Sequence, residues 1–325
     1  MSRPAPQSTI HAIGRTPLVD VDGVLVKLEC SNPSGSVKDR IARFMLEEAA
    51  RRGELRPGDV IVEATSGNTG IALAFVGREL GHHVMIFMPE HMSIERRLIM
   101  ENLGASVRLT PREGSFEGAV AARDTYRGKP GFFVPDQFGN PDNARCHRET
   151  TGQEILAQVR DRAAGRIDAF VAGVGTGGTL MGVARALRDA WPGVRIVAVE
   201  PDESAVMSGD HAGDHGIMGI GDGFIPDIVD MSIIDEIARV TTSQAHEAAE
   251  EIRQQHGYCV GRSSGANMVA ARRVKGTGGT VVTLWPDCAN RYVSVGLQPP
   301  SAESVRCGLR ARCHATTSAL LDINR

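Results

Sequence analysis

Short apolar runs, rich in β-branched residues, alternate with longer amphipathic stretches along most of the chain. Because these runs are continuously apolar rather than alternating, they predict strands that are covered on both faces. The amphipathic stretches between them predict helices, and this strand–helix alternation predicts an α/β fold with parallel sheets. The predicted strands cover residues 59–64, 83–89, 106–111, 132–135, 168–174, 195–201 and 280–286.

The strand–helix units fall into two groups, separated by the less regular segment 136–155. This division predicts two lobes with an active site in the cleft between them, at the carboxyl ends of both sheets. We place a smaller lobe over 34–146 and a larger lobe over 147–295. Residues 1–33 are expected to pack on the larger lobe, and 296–325 form a C-terminal tail.

Composition narrows the class of protein. Of 325 residues, 42% are hydrophobic and 23% are charged, and the net charge of -3 provides no basic surface for nucleic acid. The N-terminal segment lacks the apolar core of a secretory signal, and no apolar run is long enough to span a bilayer. Six cysteines are too few for a disulfide scaffold. We therefore expect a cytoplasmic protein without membrane or nucleic-acid partners.

The first candidate binding loop, Thr65-Ser66-Gly67-Asn68-Thr69-Gly70, connects a predicted strand to an apolar helix. Its glycines permit a tight turn, and the helix start presents free N–H groups and the positive end of the helix dipole. One such polar residue would indicate only a helix cap, but this concentration of donors favours a site for a carboxylate or phenolate oxygen. The absence of a G-K-[ST] sequence excludes a Walker phosphate loop.

The second candidate loop, Gly175-Thr176-Gly177-Gly178-Thr179, also joins a predicted strand to a helix. Its N–H groups and hydroxyls suit a phosphate. The same segment satisfies G-x-G-x-x-G over 173–178, and Glu200 ends a later strand, as in a nicotinamide-dependent oxidoreductase. The mid-chain position and the other polar loop favour a different cofactor, but the nicotinamide enzyme stays an alternative.

Lys38, within "SNPSGSVKDRIARF", follows a Pro/Gly/Ser loop and opens a predicted helix in the smaller lobe. Ser36 and Asp39 resemble a capping box, which places Lys38 in the first helical turn. The helix dipole and burial against a ligand both favour a neutral amine, and a neutral lysine can form a Schiff base. Lys38 is therefore a candidate to hold an aldehyde cofactor whose phosphate lies on the 175–179 loop; a solvated helix lysine is the simpler alternative.

With these segments in view, the chain resembles the cysteine synthase and cystathionine β-synthase family of fold-type II pyridoxal-phosphate enzymes. The resemblance implies the two-lobed, tryptophan synthase β-like fold. The matching segments lie in order between residues 10 and 295: NPSGSVKDR, TSGNTG, MPEHMSIERR, GVGTGGTLMGVARAL, GIGDGFIP, VGRSSGAN and NRYVS.

The resemblance implies pyridoxal 5′-phosphate as the cofactor and assigns the site residues. Lys38 is the catalytic residue and the covalent anchor of the cofactor, Asn68 bonds to the ring O3′, and Ser263 bonds to the pyridine nitrogen. The implied phosphate-binding residues are Gly175, Thr176, Gly177, Gly178 and Thr179. The implied substrate-binding residues are Thr65, Ser66, Gly67, Thr69, Gln137 and Gly221. No metal is implied, and a homodimer is expected.

The implied reaction is β-replacement on an activated serine. A serine at the ring nitrogen leaves that nitrogen neutral, which suits β-elimination, and Lys38 is the natural base for the α-proton. We expect O-acetylserine and sulfide to give cysteine and acetate. O-phosphoserine, serine and cysteine stay open as donors, and cystathionine synthesis, cysteine desulfhydration, and the formation of S-sulfocysteine or diaminopropionate stay open as reactions. A non-catalytic relative that binds an amino acid or a partner protein is a further alternative.

Three positions depart from the family pattern. Ala64 stands where proline is expected, Asp222 where alanine is common, and Arg262 where a small apolar residue or proline is common. O-phosphoserine would need a cationic partner, and the matched site loops contain none except Arg262, whose direction the sequence does not determine. O-acetylserine is therefore favoured over O-phosphoserine. We interpret MSIERR as a solvated face or lobe contact, and His147 as a structural histidine.

The tail residues Cys307, Cys313 and His314 are a candidate metal site or redox pair, to which Cys288, before the tail, could also contribute. Their spacing is not that of a zinc ribbon. Unligated thiols are therefore the expectation.

Overall fold

The computed structural model describes residues 9–65, 67–162 and 165–292, apart from the side chain of Ser115. None of the helices in these ranges combines the length and apolar character needed to cross a membrane.

The strands are β1 (Leu18–Val21), β2 (Val24–Leu28), β3 (Val60–Ala64), β4 (Val84–Pro89), β5 (Ser106–Thr110), β6 (Phe132–Phe133), β7 (Ala169–Gly173), β8 (Arg195–Pro201), β9 (Glu236–Val240) and β10 (Val281–Trp285). The helices are α1 (Lys38–Arg52), α2 (Asn68–Glu79), α3 (Ile94–Asn102), α4 (Ser115–Asp124), α5 (Pro141–Glu149), α6 (Thr151–Arg160), α7 (Gly178–Ala190), α8 (Thr242–His256) and α9 (Arg262–Lys275).

The strands form two sheets, which confirms the predicted α/β class. The larger sheet has the order β1-β2-β10-β7-β8-β9, and the smaller has the order β5-β4-β3-β6. All pairs are parallel except β1 with β2, which form a hairpin whose turn residues Asp22 and Gly23 both have positive φ. Each predicted strand forms, whereas β1, β2 and β9 were not predicted. Asp20, Lys27 and Arg239 interrupt the apolar pattern of these three strands.

Alternate residues along the central strands of the larger sheet enter two different cores. In β7, Ala169 and Val171 belong to one buried cluster, while Phe170 and Ala172 belong to the other. Both faces therefore exclude water, which explains the uninterrupted apolar runs in the sequence. A third core, which includes Ile86 of β4, fills the smaller lobe.

A buried ion network joins α1, in the smaller lobe, to the larger lobe. The Arg40 guanidinium pairs with Glu29, at 2.7 Å from Nε to Oε2, and with Glu154, at 2.7 Å from Nη1 to Oε1. Lys27 Nζ lies 2.7 Å from Glu154 Oε2, and the Thr16 hydroxyl donates to Glu29 Oε1 at 2.7 Å. Every charge thus has an opposite partner, as buried ions require. The network fixes the relative position of the two lobes.

Candidate active site

A cleft lies between the two sheets, at the carboxyl ends of β3, β7 and β10, with an empty volume of about 810 Å³ that includes its open mouth. Ten residues predicted from the sequence line it: Lys38, Thr65, Asn68, Thr69, Gln137, Gly175, Thr176, Gly177, Thr179 and Ser263. Loops that are distant in the sequence therefore meet around one cavity.

Three predicted glycines do not line the cleft, and Ser66 lies outside the described residues. Gly67 packs under the Arg96 side chain, and Gly178 packs against Asn143. Gly221 N donates to the Val174 carbonyl at 3.0 Å, so this residue shapes a turn. Its neighbours Gly219 and Asp222 line the cleft instead.

Lys38 is the first residue of α1, and its Nζ lies 3.5 Å from the Thr176 hydroxyl oxygen of the other lobe. Water reaches the side chain through the open cleft, but the surrounding protein desolvates the amine and lowers its pKa to about 8. The nearby carboxylates of Asp222 and Asp287 oppose this shift. An appreciable fraction of Lys38 is therefore neutral, and nucleophilic, near neutral pH.

The predicted capping box at the start of α1 is wrong. Ser36 Oγ accepts a hydrogen bond from Lys38 N at 3.3 Å, but the Asp39 carboxylate turns back to accept from the backbone N–H (2.6 Å) and the hydroxyl of Ser34. Val37 N donates to the Pro286 carbonyl at 2.8 Å. The backbone that carries Lys38 is thus anchored to the preceding loop and to the end of β10.

Residues 175–179 turn from β7 into the 13-residue helix α7. Gly177 has φ +83°, and a side chain at Gly175 would collide with the Gly219 carbonyl, so both positions require glycine. The Thr176 and Thr179 hydroxyls flank the turn at the cleft wall. Free N–H groups at a helix start, two hydroxyls and no carboxylate within the loop fit a phosphate group.

Asn143, which the sequence did not reveal as a site residue, connects this loop to the far side of the cleft. Its Nδ2 donates to the Gln137 carbonyl at 2.7 Å and lies 3.0 Å from Thr176 Oγ1. The side chain is fully buried. It links the Gln137 backbone to the 175–179 loop.

Thr69, which follows β3 at the start of α2, is hydrogen-bonded to Gln137. Thr69 Oγ1 donates to Gln137 Oε1 at 2.5 Å, and Gln137 Nε2 donates to the Ala64 carbonyl at 3.2 Å. Behind them, buried Glu63 accepts from Gln137 N at 3.1 Å and pairs with Arg123 at 3.0 Å. Burial raises the pKa of Glu63, although Arg123 opposes that shift. These contacts hold Thr69 and Gln137 side by side at the N-terminus of α2.

Asn68 is bonded on both sides of its amide. Its Nδ2 donates to Asp287 Oδ2 at 2.6 Å, and its Oδ1 accepts from Arg291 Nη1 at 2.5 Å. The Tyr292 hydroxyl donates to the same Asp287 oxygen. Because an amide nitrogen carries two hydrogens, Asn68 keeps one for a ligand in the cleft. Asp287 was not predicted as a site residue, although it lies just before the matched NRYVS segment.

The MSIERR segment makes a lobe contact, which is one of the two alternatives interpreted from the sequence, and one of its arginines also faces the cleft. Arg96 is 2% exposed, lines the cleft, and stacks its guanidinium 4.8 Å from the Tyr292 ring centroid. Arg262, whose direction the sequence leaves open, is not in the cleft wall and donates to the Gly216 carbonyl at 3.2 Å. The arginine in the cleft wall is therefore Arg96. Ser263, the next residue after Arg262, faces the cavity.

The family profile described as "Pyridoxal-phosphate dependent enzyme" matches residues 10–287. The chain belongs to this family. A cysteine synthase from Staphylococcus aureus is 45% identical over 296 residues, which cover 88% of this chain and 94% of that relative. Among solved structures, a cysteine synthase from Entamoeba histolytica has a TM-score of 0.84 at 38% identity, covering 96% of this chain and 98% of that one. An O-acetylserine-dependent cystathionine β-synthase from Helicobacter pylori also has a TM-score of 0.84, at 34% identity, covering 91% and 99%.

Membership of this pyridoxal-phosphate enzyme family establishes the cofactor and an enzyme of the cysteine synthase type. The residues present fit that cofactor, since a partly neutral lysine and a phosphate-compatible loop face each other across one cavity. The nicotinamide alternative is wrong. Glu200, its supposed ribose ligand, accepts hydrogen bonds from the backbone of Met207 and Ser208 and from the Ser208 hydroxyl.

Cys288 has a different neighbour from those proposed in the tail. Its Sγ lies 3.1 Å from Cys259 Sγ, and both thiols are buried. Cys307, Cys313 and His314 lie outside the described residues. Within the ranges that the structure covers, no cluster of three or more His, Cys, Asp or Glu side chains could hold a metal ion.

We expect Thr179→Val to weaken cofactor binding about tenfold or more, because it keeps the side-chain shape and deletes a hydrogen bond to a charged group, worth roughly 1.5–3 kcal/mol. The measurement is the dissociation constant obtained by titrating pyridoxal phosphate into protein from which the cofactor has been removed. Thr125→Val is a suitable control, since that hydroxyl donates to the Ala122 carbonyl on the surface. Unchanged affinity in Thr179→Val would contradict the assignment of the phosphate to this loop.

Proposed function

We propose that the protein catalyses β-replacement on O-acetylserine with sulfide, forming cysteine and acetate. The observation that carries this proposal is the position of Lys38. Its amine, with a pKa of about 8, lies between the glycine-rich loop of one lobe and the polar helix start of the other. The similarity to cysteine synthases supports the same reaction class.

The proposal gives each part of the cleft a separate task. Residues 175–179 hold the cofactor phosphate, Asn68 and Ser263 orient its ring, and Thr65, Thr69 and Gln137 bind the substrate carboxylate at the N-terminus of α2. When bound, pyridoxal phosphate supplies an electron sink for charge that develops at the substrate's α-carbon. Lys38 anchors the cofactor and then removes the α-proton, a role that requires its neutral form.

The test is a two-step experiment with the cofactor-loaded protein. O-acetylserine alone should change the visible absorption of the cofactor and release acetate, and added sulfide should restore the starting spectrum and yield cysteine. If neither O-acetylserine nor O-phosphoserine reacts but cysteine or serine does, the enzyme is a desulfhydrase or makes a cystathionine-type product. If no donor changes the spectrum, the protein is a non-catalytic relative.

The choice of donor depends on Arg96 rather than on Arg262. A buried arginine in the cleft is the type of group that O-phosphoserine would need, so both donors belong in the same assay. We propose O-acetylserine because Arg96 already stacks on Tyr292 and packs over Gly67. A much higher kcat/KM for O-phosphoserine, lost in Arg96→Gln and kept in Arg97→Gln, would overturn this choice.

Asp222 favours a second candidate function, cystathionine synthesis, in which the nucleophile is the thiol of an amino acid such as homocysteine instead of sulfide. Water reaches its carboxylate through the cleft, but the surrounding protein desolvates it and raises its pKa, while Lys38 opposes the shift. Such a group repels hydrosulfide, yet it can accept a thiol proton or hold an ammonium group.

We therefore expect Asp222→Ala to shift the ratio of kcat/KM for sulfide over homocysteine upward by roughly tenfold, or about 1.4 kcal/mol. The assay measures cysteine and cystathionine formed from O-acetylserine with each nucleophile. Asp227→Ala, an exposed aspartate of the same loop outside the cleft wall, serves as the control. An unchanged ratio would mean that Asp222 does not select the nucleophile.

A homodimer and a cytoplasmic location complete the proposal, and the resemblance to the family supports both. Light scattering of the purified protein should give twice the 34.7 kDa mass of the chain. A mass equal to one chain would rule out the dimer.

A further inference from the structure

His147 occupies a buried position directly behind the phosphate loop. The side chain is fully buried in α5, where Gly182 of α7 leaves room for it. Its Nε2 lies 3.2 Å from Thr179 Oγ1, and its Nδ1 lies 2.8 Å from Thr151 Oγ1. The three side chains form one continuous hydrogen-bonded chain that ends at the wall of the cleft.

The imidazole in this chain is neutral. Burial lowers the pKa of His147 to about 3, and the nearby cations Arg40 and Lys38 lower it further, while Glu29 opposes them. A neutral imidazole has one N–H donor and one acceptor nitrogen. If it donates to one threonine, it must therefore accept from the other. Two directions satisfy the chain: from Thr151 toward Thr179, or the reverse.

A phosphate in the cleft selects between these directions. Thr179 has a single hydroxyl hydrogen, and a phosphate dianion only accepts hydrogen bonds. If Thr179 donated to His147 Nε2, its lone pairs would face the phosphate and repel it. If Nε2–H donates to Thr179 Oγ1, the threonine hydrogen is free for the phosphate, and Nδ1 accepts from Thr151.

We propose that His147 is a positioning residue of the cofactor site: as the Nε2–H tautomer, fixed by the Thr151 hydroxyl, it directs the Thr179 hydrogen toward the phosphate. This inference rests on the proposed placement of the cofactor phosphate on residues 175–179. It deepens that assignment by adding a tautomer and a second hydroxyl, Thr151, that has no contact with the cofactor.

The experiment uses the full chain with ¹⁵N-labelled histidine, cofactor-free, with inorganic phosphate, and loaded with pyridoxal phosphate. In the loaded protein, His147 Nε2 should carry the proton and Nδ1 should show the shift of an acceptor nitrogen; inorganic phosphate should produce the same state. Thr151→Val should weaken pyridoxal-phosphate binding about fivefold, the loss of one ordinary hydrogen bond. The control Thr150→Val should bind normally, because the Thr150 hydroxyl donates to the Cys146 carbonyl instead.

Two further variants separate orientation from packing. His147→Gln retains an N–H donor in reach of Thr179 and should bind the cofactor more tightly than His147→Leu, with both checked for folding by circular dichroism. An Nδ1–H tautomer in the loaded protein, or equal effects of Thr151→Val and Thr150→Val, would overturn the inference. Unchanged affinity in Thr179→Val would instead overturn the phosphate placement itself, so the two failures are distinguishable.

Discussion

Lys38→Ala should abolish turnover and the covalent attachment of pyridoxal phosphate. Lys38 supplies both the amine that anchors the cofactor and the base that removes the substrate proton, so we expect a loss of about 10³-fold or more in kcat. Borohydride treatment of the unmodified protein should fix the cofactor to the peptide that contains Lys38. The other lysines of the chain, Lys27, Lys129 and Lys275, provide an internal comparison. Cofactor fixed to any of them, or full activity in Lys38→Ala, would contradict the proposed mechanism.

The lowered pKa of Lys38 adds a dependence on pH. Desolvation favours the neutral amine, so the neutral fraction in the cofactor-free protein rises as the pH increases through about 8. The rate of cofactor capture should therefore increase between pH 7 and pH 9, in roughly the proportion of the neutral amine. Stopped-flow absorbance measures this rate. A rate that keeps rising about tenfold per pH unit and levels off only near pH 10, where an unperturbed lysine titrates, would show that the cleft does not lower the pKa.

Arg40→Met should reduce the free energy of unfolding by about 3–5 kcal/mol, because it leaves the buried Glu29 carboxylate without its ion-pair partner and leaves Glu154 with Lys27 alone. Arg40 is 3% exposed, and its guanidinium contacts both carboxylates at 2.7–2.8 Å. Denaturant unfolding measures the change. Arg51→Met on the same helix is the matched control, since the Arg51 side chain is 65% exposed and its ion pair with Glu48 contributes little. Equal effects of the two substitutions would mean that the network does not stabilise the fold.

The same network predicts sensitivity to acid. Burial raises the pKa of Glu154, but its bonds to Arg40 and Lys27 outweigh this effect and hold the pKa at about 2. A carboxylate whose pKa is depressed on folding stabilises the protein above its unfolded pKa of about 4.5, and this contribution is lost as the pH falls toward 2. Arg40→Met should remove much of this pH dependence, which unfolding curves between pH 5 and pH 3 would reveal.

The sequence predicted the elements whose signal is local. The strands of both sheet interiors are apolar runs because each is covered on two faces, and the glycine-rich loops combine unusual backbone demands with several donors. The edge strands β1 and β9 carry no such signal, since Asp20 or Arg239 interrupts them and their pairing depends on neighbours far along the chain.

The site residues that the sequence missed share one property: their roles arise from contacts between distant segments. Asn143 acts through Gln137 and Thr176, and Asp287 acts through Asn68, so neither has a local pattern that marks it. Arg96 was not recognised as a cleft residue, because its stacking partner Tyr292 is far from it in the sequence. The capping-box prediction failed for a related reason. The Asp39 carboxylate accepts hydrogen bonds from Ser34 in the preceding loop instead of from the start of its own helix.

The parallel pairing of β2 with β10 has a consequence for how the protein matures during synthesis. The ribosome releases β2 early, but the strand that completes the sheet beside it is among the last described segments of the chain. The four strands of the smaller sheet, by contrast, all lie within residues 60–133 and can pair while translation continues. The larger lobe, built on long-range contacts, is the slow half to form. On a nascent chain the smaller sheet can thus form first, whereas the larger sheet, and with it the cleft between the two sheets, is complete only after β10 has been made.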